Sequence, residues 1–242
     1  MTANNKVAVI TGASHGLGET IASQLASQGL DLALIARGKE RLEAVAARLR
    51  LAPYSAAAKI VTLTCDVSDR SQVEGIAGRI LAELGRVDVL VNNAGMPAPR
   101  TLDDTGFADW DEVIATNLSG AFYMTRALWG ALRDSGAGYV INISGGSGLR
   151  GSGSPAYGSA KFGLTGLTRA IAASGKPHNI RTTVLYPGGM DTGWRGAPIG
   201  IKPPEEIMNP QEVARYVGYL IATPPEFVVN EAVLNPIADV WL

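Results

Sequence analysis

The chain has a single thiol, Cys65, so it forms no internal disulfide, and a cytoplasmic setting is the expectation. Cys65 lies in an apolar, strand-like run and reads as a small core residue. Charge of one sign is also missing: 21 Lys and Arg face 22 Asp and Glu, a net charge of −1. Without a basic excess there is no footprint for nucleic acid, and without a charged tail none for a membrane surface. No apolar run approaches the roughly 20 residues that cross a bilayer. Residues 1–6 are polar and do not read as a signal peptide. What is present is an ordinary globular composition, 46% hydrophobic and 18% charged over 242 residues, enough to bury a real core. Glycine is plentiful at 29 residues, which implies tight turns or close approach of backbone to a ligand.

Short β-rich runs alternate with longer helical patterns. Strands are expected over residues 6–11, 31–36, 59–64, 87–92, 139–143, 181–186 and 227–234. Helices are expected over 16–29, 39–51, 69–84, 109–134, 157–174 and 211–221. In the first helix Leu17, Ile21 and Leu25 recur one turn apart and Gly29 is the stop. In the third, Val73, Ile76, Ala77, Ile80 and Leu84 make one stripe. Such alternation means parallel strands joined by crossover helices that cover both faces of the sheet. The expected fold is α/β, a doubly wound parallel sheet of about seven strands. With no linker and no repeat, residues 1–242 read as one domain. Two stretches, 145–155 and 187–210, are too rich in Gly and Pro to be regular. Each follows the carboxyl end of a strand, where open parallel sheets bind ligands.

Thr11-Gly12-Ala13-Ser14-His15-Gly16-Leu17-Gly18 joins the first strand to the first helix. Gly12 suits the tight turn, Gly16 the approach of a pyrophosphate, and Gly18 close packing of helix on strand, with the helix N–H groups facing the anion. An acid at the end of the second strand would hold ribose hydroxyls and favour NAD. This chain has Ala36 and then Arg37, whose guanidinium suits a 2′-phosphate, and His15 offers a further donor. As an alternative, Arg37 is a solvated charge flanking a helix. Further on, Tyr157-Gly158-Ser159-Ala160-Lys161 opens a helix and puts the phenol and the ammonium on one face. A neighbouring cation lowers the pKa of a phenol and makes its proton mobile near neutral pH.

The glycine loop, Asn92-Asn93-Ala94-Gly95, Asn117, Ser144 and the Tyr157/Lys161 pair occur in one order along the chain. In that order they resemble the short-chain dehydrogenase/reductase family in its single-domain form, over essentially the whole chain. The resemblance implies a Rossmann-type sheet and hydride transfer between a nicotinamide dinucleotide and a carbonyl or alcohol; Arg37 makes NADP(H) the expected cofactor, with NAD as the lesser alternative. It implies that Asp66 meets the adenine amino group with Val67 beside it. Asn93, Ala94 and Gly95 then line the adenosine side, and Asn117 holds a water of a proton relay at a helix irregularity. Tyr157 is the general acid or base, and Lys161 binds the nicotinamide ribose. Pro187, Gly188 and Thr192 lie near the nicotinamide. Asp66 also suits a helix cap, Asn117 a helix surface and Thr192 a turn.

One departure stands out. The family reads Asn-Ile-Ser-Ser with the second serine catalytic, whereas this chain reads Asn142-Ile143-Ser144-Gly145. Counting back from Tyr157 selects Ser144 to bond the substrate oxygen. Aligning the strand without a gap selects Gly145, with Ser147 as a substitute hydroxyl. Ser144 is the assignment adopted. The substrate flap is expected over 188–210, where Met190, Trp194, Ile199 and Ile201 suit a partly hydrophobic alcohol or ketone. The resemblance also implies a homotetramer or homodimer paired through the helices over 109–134 and 157–174, and no metal. Two other readings remain on this scaffold: a dinucleotide sensor without catalysis, and a redox-neutral epimerase or dehydratase.

Overall fold

The computed structural model describes residues 6–53, 58–151, 154–196 and 198–239. The polar start over 1–5, and residues 152, 153 and 197 of the two Gly- and Pro-rich loops, lie outside them. Strands β1 (Val7–Thr11), β2 (Asp31–Ala36), β3 (Ile60–Thr64), β4 (Val89–Asn92), β5 (Tyr139–Ile143), β6 (Arg181–Pro187) and β7 (Glu231–Leu234) form one sheet. Every pair is parallel and the order is β3-β2-β1-β4-β5-β6-β7. The order reverses between β1 and β4, which opens a crevice above their carboxyl ends.

The helices are α1 (Gly16–Ser27), α2 (Lys39–Leu51), α3 (Arg70–Leu84), α4 (Phe107–Ile114), α5 (Gly120–Asp134), α6 (Ser147–Arg150), α7 (Pro155–Gly175) and α8 (Pro210–Ala222). They divide between two apolar layers, because successive strand side chains point to opposite faces. Ala8 and Ile10 of β1 pack with α1, α2 and α8, while Val9 packs with α3 and α5. β1, β5 and β6 are buried along their whole length, as strands covered on both faces must be. No helix among the described residues is long and apolar enough to cross a membrane.

Three expectations are corrected. The helix expected over 109–134 is α4 and α5 joined by a π-helical turn, Ala115–Ser119, which carries Asn117. The last strand is shorter than 227–234, because Phe227 N–H closes a turn onto the Pro224 carbonyl and ladder pairing begins at Glu231. The loop over 145–155 contains the short helix α6, and α7 starts at Pro155. Ser154 caps α7, its hydroxyl accepting from Tyr157 N–H at 3.4 Å, and Pro155 fits the first turn, where no N–H is needed.

Candidate active site

The crevice begins at the turn from β1 into α1. Gly12 (φ +66°) and Gly16 (φ +58°) take left-handed backbone, which glycine adopts without strain. Gly18 is held by space, since a Cβ there would lie 2.2 Å from the Gly12 carbonyl oxygen. His15 is the N-cap of α1 and its side chain makes no capping hydrogen bond, which leaves the first-turn N–H groups available to an anion. The opposite wall is Asn93: Nδ2 donates to the carbonyls of Thr11 (3.0 Å) and Gly12 (3.3 Å). Thr11 Oγ1 accepts from the N–H groups of Asn93 and Ala94, both at 3.0 Å. Asn93 thereby braces the β1 turn against the end of β4.

At the outer end, Arg37 follows β2 directly and its guanidinium lies 3.9 Å from the Asp66 carboxylate. Both groups are solvated, so this pair holds neither firmly. Asp66 does not cap α3. Its carboxylate accepts from Ser68 N–H (2.9 Å) and Oγ (2.7 Å), while Asp69 caps the helix through the N–H groups of Ser71 and Gln72. The Val67 side chain is buried against Gly120. Ser14 Oγ pairs with His15 Nδ1 at 3.2 Å.

At the inner end, α7 presents Tyr157 and Lys161 one turn apart. Lys161 is 4% exposed, its Nζ donates to the Ile143 carbonyl at 2.9 Å, and it sits 5.7 Å from the centre of the Tyr157 ring. Burial pushes its ammonium down to about 8, because the charged form loses its hydration. Asn117, delivered by the π-helical turn, accepts from Met96 N–H (3.2 Å) and donates to the carbonyls of Met96 and Val113 (both 3.1 Å). A Cβ on Gly95 would stand 2.7 Å from Asn117 Oδ1 and 3.6 Å from Lys161 Nζ, so Gly95 lets these two groups converge. From the flap, Trp194 lies 6.5 Å from Tyr157, ring to ring.

Ser144, expected to bond the substrate oxygen, has a partner within the protein. Its hydroxyl is buried and donates to the Lys161 carbonyl at 3.1 Å. Gly148 of α6 covers it so closely that a Cβ on Gly148 would fall 2.0 Å from Ser144 Oγ. That hydrogen bond ties the end of β5 to α7, and Ser144 also lines the cavity beside Tyr157. The place facing the phenol is Gly145, where a Cβ would lie 3.7 Å from Tyr157 Oη. Ser147 opens α6 and is not among the described residues lining the cavity.

One cavity of about 330 Å³ gathers most of the expected residues. Gly12, His15, Gly16, Leu17, Asn93 and Ala94 line its outer half, and Gly95, beside Asn117 and Lys161, lies toward the inner. Ser144, Tyr157, Lys161, Pro187, Gly188 and Thr192 line its inner half. Thr192 reaches across: its Cβ is 3.4 Å from where a Cβ on Gly16 would be. Ser14, Gly18, Arg37, Asp66, Val67 and Asn117 stand behind or beyond the lining. The glycine cradle and uncapped helix start fit the diphosphate of a dinucleotide, and Lys161 fits a ribose beside a reacting centre. Sequence reasoning missed Ile207 and Gly189 as lining residues. Ile207 comes to the cavity because Met208 N–H bonds back to the Gly189 carbonyl at 2.9 Å, a pairing that no local pattern announces.

Comparison with known proteins agrees with this geometry. The family model described as short chain dehydrogenase matches residues 6–197. An acetoacetyl-CoA reductase from Rhizobium meliloti (strain 1021) is 34% identical over 245 residues, covering 95% of this chain and 96% of that protein. The solved structure of an alcohol dehydrogenase from the archaeon Thermococcus sibiricus, complexed with 5-hydroxy-NADP, is 33% identical. It superposes with a TM-score of 0.90 over 98% of this chain and 99% of that one. A single-substitution variant of actinorhodin polyketide ketoreductase, solved with NADPH, is 28% identical with a TM-score of 0.86, over 99% of this chain and 100% of that one.

Proposed function

This chain belongs to the short-chain dehydrogenase family and is an oxidoreductase, and we propose that it transfers a hydride between NADP(H) and a carbonyl or alcohol, with Tyr157 as the proton donor or acceptor. The observation that carries this reading is the convergence of the Tyr157/Lys161 pair and the glycine cradle on one crevice at the strand-order reversal. In reduction, carbonyl, NADPH and a proton give alcohol and NADP. NADPH, when bound, supplies the hydride.

The protein positions and polarises. Gly12, Gly16, Leu17 and the first turn of α1 take the diphosphate, with Gly18 holding α1 against β1. Arg37 takes the 2′-phosphate, aided by Ser14 and His15. Asp66 and the Val67 backbone face the adenine, and Asn93, Ala94 and Gly95 line the adenosine side. Lys161 holds the nicotinamide ribose, with Pro187, Gly188 and Thr192 at the nicotinamide end. Tyr157 donates its proton to the carbonyl oxygen, and the Lys161 ammonium makes the phenolate left behind tolerable. Asn117 and the π-helical turn that carries it refill that proton from water.

NADP rather than NAD is supported by Arg37 in the place of an acid, and by 5-hydroxy-NADP and NADPH in the two solved relatives. The flap over 188–210 closes a single domain, and the lone, buried Cys65, its thiol pushed up to about 11 by burial, suits a reducing cytoplasm. Exposed Phe122 of α5 and Phe162 of α7 support pairing of these helices in a homodimer or homotetramer. A monomer by light scattering at micromolar concentration rejects that assembly.

The test of the reaction is NADPH absorbance with a panel of ketones, in wild type and in Tyr157→Phe. Turnover in wild type, lost in the variant, is the expected result. Turnover retained in the variant refutes the role of Tyr157. One observation, the absence of a hydroxyl at position 145, favours a second reading, a protein that binds the dinucleotide without turnover. Tight NADPH binding with no ketone reduction would select it.

A further inference from the structure

Opposite the phenol the wall is missing a side chain. A Cβ on Gly145 would touch Tyr157 Oη at 3.7 Å and the Pro187 carbonyl oxygen at 3.8 Å, with no other heavy atom of the described residues within 4 Å apart from its chain neighbours. Both are ordinary van der Waals distances, so the vacancy is real and about one methyl wide. Gly145 has φ +152°, a backbone region that side chains rarely enter, so the recess is built into the chain's path. Ser144 does not fill it, because its hydroxyl is tied to the Lys161 carbonyl. The cavity lined by Tyr157 and Pro187, the two residues that a Cβ on Gly145 would meet, carries the apolar side chains of Met190, Trp194 and Ile207. Among the described lining residues there is no carboxylate, and Lys161, the one lysine, is already bonded to Ile143.

We propose that Gly145 determines the substrate: the recess beside the Tyr157 hydroxyl receives a methyl branch on the carbon adjoining the carbonyl of an uncharged ketone. The proposal rests on the hydride-transfer reading above. A carbonyl oxygen bonded to Tyr157 brings one of its two substituents past residue 145. Where that residue carries a side chain, the substituent there has to be slim. Here a tertiary carbon fits beside the phenol, from whose ring the Trp194 indole lies 6.5 Å, centre to centre.

The test compares pentan-2-one with its branched isomer 3-methylbutan-2-one, using NADPH, in wild type and in Gly145→Ala. The expected result is a fall in kcat/KM of roughly tenfold or more for the branched ketone, the usual worth of one methylene in a pocket, with the linear ketone changed by less than about threefold. Equal losses for both ketones, or no loss for either, overturn the proposal. A second readout needs no turnover: the Kd of 3-methylbutan-2-ol for the NADP-saturated protein, by calorimetry, should weaken by the same factor. If neither ketone is reduced yet the branched alcohol binds and loses affinity in Gly145→Ala, the recess stands and the hydride-transfer reading fails. Should Gly145→Ala not fold, Trp194→Ala serves, because the indole lines the same cavity beside the phenol. The branched-over-linear ratio should then fall by about fivefold, as a removed apolar contact predicts, and an unchanged ratio overturns the proposal.

Discussion

Lys161 is the group whose placement costs the fold most visibly, and replacing it with methionine tests that directly. Burial lowers its pKa from 10.5 to about 8. The difference, 10.5 − 8, corresponds to about 3 kcal/mol of unfavourable charge burial at neutral pH, at roughly 1.4 kcal/mol per unit. Lys161→Met removes that cost and also the hydrogen bond to Ile143, worth about 1 kcal/mol. The apoprotein should therefore gain about 2 kcal/mol, or roughly 4–8 °C in Tm for a chain of this size. The pH dependence has a definite sign. Below pH 8 the native and unfolded states are both protonated and the full cost is present. Between pH 8 and 10.5 the native state sheds its proton first, so wild-type stability rises relative to the variant and the gap closes. Urea unfolding of both proteins without cofactor, at pH 7, 8, 9 and 10, measures this. A variant no more stable than wild type at pH 7, or a gap that stays constant up to pH 10, refutes the reasoning. Reductase activity should be lost in the same variant, so that the strain is located where function requires it.

Other outcomes follow from single contacts. Ser144→Ala removes one buried hydrogen bond and should cost about 1 kcal/mol of stability while kcat changes by less than about threefold. A loss of 10²–10³ in kcat, of the size seen when an oxyanion donor is removed, would return Ser144 to the substrate oxygen. Arg37→Ala should raise KM for NADPH by about tenfold, the value of one charge-assisted bond, and leave NADH unchanged. Equal use of both cofactors, unaltered by the variant, ends the 2′-phosphate assignment. Gly18→Ala drives a methyl against the Gly12 carbonyl and should destabilise by about 1–3 kcal/mol, with NADPH affinity falling as α1 is displaced. Unchanged Tm and affinity would show that the β1–α1 turn yields freely.

The parts of the fold that were legible in the sequence are those governed by burial on both faces. β1, β5 and β6 are enclosed by helices and therefore read as continuous apolar runs. β7 sits at the sheet edge, half exposed, and its start could not be read from apolarity. The start of α7 was legible but missed: Ser154-Pro155 is an N-cap followed by proline, and it places the helix two residues ahead of Tyr157. The π-helical turn at Asn117 was not legible as geometry, because no spacing marks one extra residue in a helix; it entered only through resemblance.

Ser144 is the most instructive position, because two ways of counting disagree there and only one is physically constrained. Counting back from Tyr157 treats the intervening loop as having constant length. Strand pairing has no such freedom. Ile143 is paired with Leu185, and Ser144 N–H bonds the Leu185 carbonyl at 2.8 Å, which fixes the face on which each following side chain emerges. Asn142 and Ser144 therefore share a face, Asn142 reaching Thr168 of α7 and Ser144 the Lys161 carbonyl of the same helix. At residue 145, the next position, a Cβ would lie 3.7 Å from Tyr157 Oη. Loop 145–155 absorbs a change in length through α6 and the αL turn at Gly151 without disturbing either anchor. Position counted from the strand is thus the constrained measure, and by that measure the chain carries no side chain where the family carries its serine.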